Sequence, residues 1–167
     1  GNAARTTLEA IGREYGITRE RVRQIEQGAL SDLKRSSSWA EAREALAEIV
    51  SHLHTFGRGL AREEDFLSHL APDENARRHL RFFLVLSDDI LHRKEDDEFY
   101  ERWISSRAVA DAVERSLVRM AQELHGDDLL ADTETYGRLA AFLRGTVAEG
   151  APSPLLHRWL QLSKRIG

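Results

Sequence analysis

Residues 7–33 read TLEAIGREYGITRERVRQIEQGALSDL. The four residues Thr6-Thr7-Leu8-Glu9 form a capping-box start, in which the Thr6 side chain caps the backbone and Glu9 returns the bond. Leu8, Ile11 and Tyr15 then fall on one helical face. Gly16 ends the helix, because glycine accepts the left-handed backbone of a tight helical stop, and Thr18 caps a second helix that begins at Arg19. Gly12 is placed where the second helix must approach, and Ile17, Val22 and Ile25 supply the shared core. Two helices joined by so short a turn have helix-turn-helix spacing.

The second helix leaves a polar face uncovered. Arg19 and Arg23 are four apart, as are Glu20 and Gln24, so all four project from one side near the helix N-terminus. An isolated helix with this pattern is simply a solvated face held by charge pairs one turn apart. After a helix-turn-helix turn the same face is the one that enters the major groove. Arg donates twice to guanine, Gln pairs with adenine and Glu accepts from cytosine N4, which makes Arg19, Glu20, Arg23 and Gln24 candidate base readers. Arg21 and the cap residue Thr18 are better placed for phosphates.

The stretch from Thr7 to Leu33, with its TRERVRQIE run, resembles region four of primary-type sigma factors, the part that recognises the −35 promoter element. The resemblance implies that Arg19, Glu20 and Gln24 read bases and that Thr7, Leu8, Arg21 and Arg23 lie at or near the DNA backbone. It also implies a contact with RNA polymerase, but the helices that complete that contact, and the region that melts a promoter, have no counterpart here. A complete sigma factor is not expected.

Working outward, the rest of the chain reads as mainly α-helical, with an N-terminal helix-turn-helix (1–38), a winged-helix-like domain (39–104) and a second, similar helical module (105–167). The boundaries are placed at Ser36-Ser37-Ser38 and near Ser105-Ser106. In the second segment, an amphipathic helix from Glu41 to Phe56 runs through Ala45, Ile49, Leu53 and Phe56 and stops at Gly57 and Gly59. Helices Arg62–Leu70 and Asp73–Leu86 follow, then two short strands within Ile90 to Ile104 around the acidic turn Glu95-Asp96-Asp97-Glu98. The third segment repeats part of the second. Leu80, Phe83, Leu84, Leu86 and Ser87 recur as Leu156, Trp159, Leu160, Leu162 and Ser163, and His54–Leu70 corresponds with gaps to His125–Leu139. The chain stops where the second copy's wing would begin. It has no initiating methionine, Met120 being its only one, so the natural protein is expected to extend beyond both ends. The whole order resembles bacterial proteins that join a sigma-like helix-turn-helix to winged-helix units, some including a HARE-type helix-turn-helix.

Charge separates the segments: +2 over residues 1–38, −6 over 39–104 and 0 over 105–167. A polyanion is drawn to the first and mildly repelled by the second. The acidic turn is expected to be a solvated tip, since it lacks the loop glycine and ligand alternation of a calcium site. There are no cysteines, hence no thiolate nucleophile, disulfide frame or zinc finger. The longest apolar run, Phe82 to Leu86, is too short for a membrane span. The seven histidines are scattered, without a metal-ligand or catalytic spacing, and read as surface or boundary residues. Phe82, Phe83, Trp103, Tyr136 and Trp159 read as core.

The expectation is therefore a non-enzymatic, cytoplasmic, bacterial transcription protein that binds double-stranded DNA sequence-specifically. No cofactor, metal, membrane or small-molecule substrate is expected. Two other readings stand beside it: an interaction module docking on RNA polymerase or another partner, and the targeting part of a larger nucleic-acid enzyme.

Overall fold

The computed structural model of the chain describes residues 7–123, 133–147 and 149–166. It is mainly helical, with one three-stranded antiparallel sheet among the described residues. Contacts divide the chain into two compact units between Ala45 and Leu46.

The first unit contains α1 (Leu8–Tyr15) and α2 (Arg19–Arg35). Thr7 caps α1, its Oγ1 accepting from the Ala10 amide at 3.1 Å, so the cap lies one residue later than the expected Thr6–Glu9 box. With Leu8 as the first helical residue, Thr7 stands in extended geometry and its side chain reaches the third amide, while Thr6 lies outside the described residues. Gly16 closes α1 in the left-handed region at φ +65°, and Thr18 Oγ1 accepts from the Arg21 amide at 3.1 Å to start α2. Gly12 is obligatory: a Cβ there would stand 2.6 Å from the Ile17 carbonyl oxygen, which is backbone and cannot swing away. Of the expected shared core, Val22 is buried and Leu8, Ile11 and Ile17 are half-buried. Tyr15 and Ile25 are instead exposed.

The triple serine is a corner. Ser36 ends α2, donating from its hydroxyl to Leu33 O at 2.7 Å and accepting from the Trp39 amide at 3.1 Å, and α3 (Ser37–Gly57) begins at the next residue. This helix starts four residues before the expected Glu41. It buries Leu46 and Leu53, while Ala45 is exposed.

The second unit continues with β1 (Leu60–Arg62), α4 (Glu63–Leu70), α5 (Glu74–Leu86), β2 (Leu91–Arg93), β3 (Arg102–Ile104), α6 (Arg107–Glu123), α7 (Thr133–Thr146) and α8 (Ser153–Leu160). Asp73, expected as the first residue of this helix, is instead its cap, accepting from the Ala76 amide. The expected hairpin is β2–β3. The unexpected strand is β1, which pairs with the other side of β3 to give the order β1-β3-β2, with Trp103 opposite both Ala61 and His92. Leu60 and Ile104 join a single apolar core with Val113, Leu117 and Met120 of α6, Leu143 of α7 and Leu156 and Trp159 of α8. No second division falls at Ser105-Ser106, because these residues are stitched to β1: the Gly59 carbonyl accepts from both amides, and a Cβ on Gly59, itself at φ +87°, would sit 2.8 Å from Ser106 Cβ. From α8, Arg158 and the Trp159 indole donate to Phe56 O at 2.8 Å and Gly57 O at 3.2 Å, satisfying carbonyls left over at the end of α3.

The repeated sequence pattern ends differently in its two occurrences. α5 runs to Leu86, whereas α8 stops at Leu160 and the following turn docks on the hairpin, Tyr100 N donating to Leu162 O and Lys164 N to Glu98 O. The upstream part of the correspondence, from His125, reaches into residues 124–132, which lie outside the described residues.

Candidate nucleic-acid interface

Arg19, Glu20, Arg23 and Gln24 stand on the first two turns of α2 and are all exposed. Glu20 organises the group. Its carboxylate receives Arg23 on both oxygens, at 2.8 and 2.6 Å, and also the Gln24 amide at 3.5 Å. Arg21, expected on a separate phosphate-facing flank, donates to Gln24 Oε1 at 3.4 Å and so belongs to the same network. The Arg23 hydrogen bond holds the Glu20 carboxyl below its ordinary pKa, and the reciprocal bond raises that of Arg23. Arg19 stands at the helix start beside Thr18, where the unsatisfied amides of α2 also point. Thr7 and Thr18 are exposed caps whose hydroxyls accept from the backbone, which leaves each hydroxyl proton available to a phosphate. Leu8 is half-buried beside Thr7.

A second polar cluster, in the other unit, escaped the sequence reading. Arg81 bridges Glu63 at 2.9 Å and Glu101 at 3.0 Å, and His92 Nε2 lies 2.9 Å from Glu63 and 3.5 Å from Glu101. His92 stacks on Trp103 with centroids 4.2 Å apart and is half-buried, within the surface or boundary placement expected of the histidines. Glu63, His92 and Glu101 could together ligate a cation, their ligand atoms all lying within 4.8 Å of one another. In this structure the Arg81 guanidinium already supplies the positive charge that the two carboxylates require. These residues come from four separate elements, so no spacing in the sequence could announce them.

The acidic turn also differs from expectation. Asp96 accepts from the Glu98 and Phe99 amides and from Arg102, Glu95 pairs with Lys164 at 2.5 Å, and Glu98 pairs with Arg165 at 2.6 Å. Three of the four carboxylates are spent on the fold, because the turn after α8 brings two basic residues to the tip. Burial pulls the Asp96 carboxyl upward, but its two amide bonds and Arg102 outweigh that and hold it below the ordinary range. Phe82 and Phe83, expected in the core, are exposed on α5.

A helix-turn-helix with a polar, partly basic N-terminal face on its second helix is thus the site the first unit offers. Residues 4–35 match the family model for Sigma-70, region 4, a match covering about a fifth of the chain. No curated protein and no solved structure matches the chain. Among the described residues no helix is long and apolar enough to cross a membrane.

Proposed function

We propose that this is a non-enzymatic transcription protein whose α2 enters the major groove of double-stranded DNA and reads its sequence. The observation that carries the proposal is the position of Arg19, Glu20, Arg23 and Gln24 at the exposed start of α2, directly after a turn that only Gly12 permits, within the segment matching Sigma-70, region 4. Thr7, Leu8, Thr18 and Arg21 are assigned to the DNA backbone. Magnitudes favour exchange of partners on binding. An exposed ion pair such as Glu20–Arg23 is worth about 0–1 kcal/mol, whereas a bidentate base contact discriminates by about 1–3 kcal/mol. DNA therefore outcompetes the internal bond, and Glu20 holds Arg23 ready until it does.

The second unit supports a winged-helix reading, in keeping with the sigma-like and HARE-type resemblance: α3, β1, α4, α5, β2 and β3 follow in order, with β3 central in the sheet. Its role in this proposal is protein-facing. Arg77 pairs with Glu74, and Arg81 with Glu63 and Glu101, so the basic residues of α5 are largely committed within the fold. That commitment is what favours the second reading, docking on RNA polymerase or another protein.

Selection of bound sites from random duplex tests the first reading. Arg19→Ala or Gln24→Ala should each relax preference at one base position, at a cost of roughly 1–3 kcal/mol, while Arg21→Ala weakens all sequences alike. Failure to enrich any sequence, or equal losses on selected and scrambled duplex for every variant, overturns it. Co-purification with polymerase in the absence of sequence selection would favour the second.

A further inference from the structure

The face that α5 turns to solvent carries Asn75, Arg78, His79, Phe82 and Val85, with Phe83 at its flank. Phe82 keeps 52% and Val85 56% of its surface exposed, and the Phe82 and Phe83 rings meet edge to face at 5.9 Å. An apolar stripe this open on a soluble unit marks a contact surface.

The charges along it are ordered. Arg78 and His79 stand on the N-terminal side of the stripe, and Asp88 and Asp89, both exposed, follow its C-terminal end. The acids share a groove with Val85, lined also by Ser87 and Arg107, so acids and stripe belong to one surface.

We propose that this surface is a homodimer interface, in which two copies lay their α5 helices antiparallel about a two-fold axis near Phe83. Phe82 and Val85 fill the centre, and Arg78 of each copy meets Asp88 and Asp89 of the other. The occupant is a second copy because the pattern complements itself. Arg78 lies one turn before Phe82 on the exposed face, and Asp88 and Asp89 follow the helix end beside Val85, so an antiparallel two-fold through that face, next to Phe83, brings opposite charges together at both ends. Parallel packing would set Arg78 on Arg78 and Asp88 on Asp88. A phosphate backbone is a poor fit, since it would meet the aspartates and leave the aromatics wet. A dimer carries two helix-turn-helix units, suited to two half-sites; that consequence rests on the DNA-binding reading, while the interface does not.

Sedimentation velocity of the full chain over a wide concentration range tests the interface. The unaltered chain should dimerise. Phe82→Glu, Arg78→Asp and the double variant Asp88→Arg/Asp89→Arg should each raise the dimer Kd by about tenfold or more, and Phe82→Glu and Arg78→Asp, at exposed positions, should leave the melting unchanged. Mixing Arg78→Asp chains with Asp88→Arg/Asp89→Arg chains should restore dimers, since the first then presents acids at both ends and the second bases at both. A chain that stays monomeric, a dimer indifferent to these substitutions, or a mixture that fails to associate overturns the proposal. None of these outcomes depends on DNA, so the interface and the DNA reading fail separately.

Discussion

The two units use charge in opposite ways. Up to Ala45, the ion pairs run along one helix between exposed neighbours, as in Glu20–Arg23 and Asp32–Arg35. From Leu46 on, most of them join distant elements, and several are partly buried. Arg102, only 3% exposed, holds Glu114 of α6 at 2.7 Å, Asp96 of the hairpin turn at 3.1 Å and two backbone carbonyls, while Arg93 of β2 takes Asp111 and Glu114. Pairs of the first kind are exchanged for other partners at little cost; pairs of the second kind are part of the fold. Charge in the first unit is therefore available for recognition, and much of it in the second is not.

The strongest way to break this comparison is at Glu114. Glu114→Ala removes one of the two acids of the buried Arg102 and one of Arg93's two, so, at about 1.5–3 kcal/mol for each hydrogen bond to a charged group, it should cost roughly 3–5 kcal/mol. Denaturant unfolding in a Trp39→Phe background, followed by the fluorescence of the buried Trp103 and Trp159, reads the loss. Glu20→Ala, by contrast, should change amide-exchange protection over residues 7–35 by no more than about 0.5 kcal/mol. Comparable losses for the two would abolish the distinction.

What was legible in the sequence follows the same line. The stop and the cap of the first unit, Gly16 and Thr18, could be read because a helix end is decided by a few adjacent residues. The hairpin could be read because its flanks are aromatic and aliphatic. The strand Leu60–Arg62 could not: three residues are too short for alternation, and they are extended because β3 pairs with them. Periodicity says which residues share a face but not whether anything covers it, so Ile25 and Phe82 read as core and stand exposed. The exposed set Arg19, Glu20, Arg23 and Gln24 was legible as one face of α2; the bond joining Arg21 to Gln24 was not, since it depends on rotamers rather than on register.

A smaller effect, confined to the first unit, sharpens the contrast in packing. Gly12→Ala places a Cβ against the Ile17 carbonyl, and overpacking against backbone should cost about 1–3 kcal/mol. Amide exchange over residues 7–35 should accelerate and sequence-selective DNA binding should fall, while the tryptophan-monitored transition of the second unit stays in place. A shift of that transition would show that the units do not unfold independently.

The smallest effect is at the acidic tip, where the comparison predicts a graded response rather than a uniform one. Asp97→Asn should change nothing measurable in stability. Glu95→Gln and Glu98→Gln each release one partly exposed base, Lys164 or Arg165, and should cost about 0–1 kcal/mol apiece. Asp96→Asn should cost more, because that carboxylate serves two amides and the buried Arg102. Its lowered pKa fixes the sign of the pH dependence: the contribution is complete above the unfolded carboxylate value of about 3.9 and disappears as the pH falls through the lower folded value. Removing the Glu95 and Glu98 charges also frees two cations, so non-specific DNA binding by the full chain should rise slightly, most at low salt, where screening is weakest. If all four substitutions were equally silent, the tip would be a solvated loop and its carboxylates would belong with the exchangeable charges of the first unit. If Asp97→Asn were as costly as Asp96→Asn, the bonding scheme of the turn would itself be wrong.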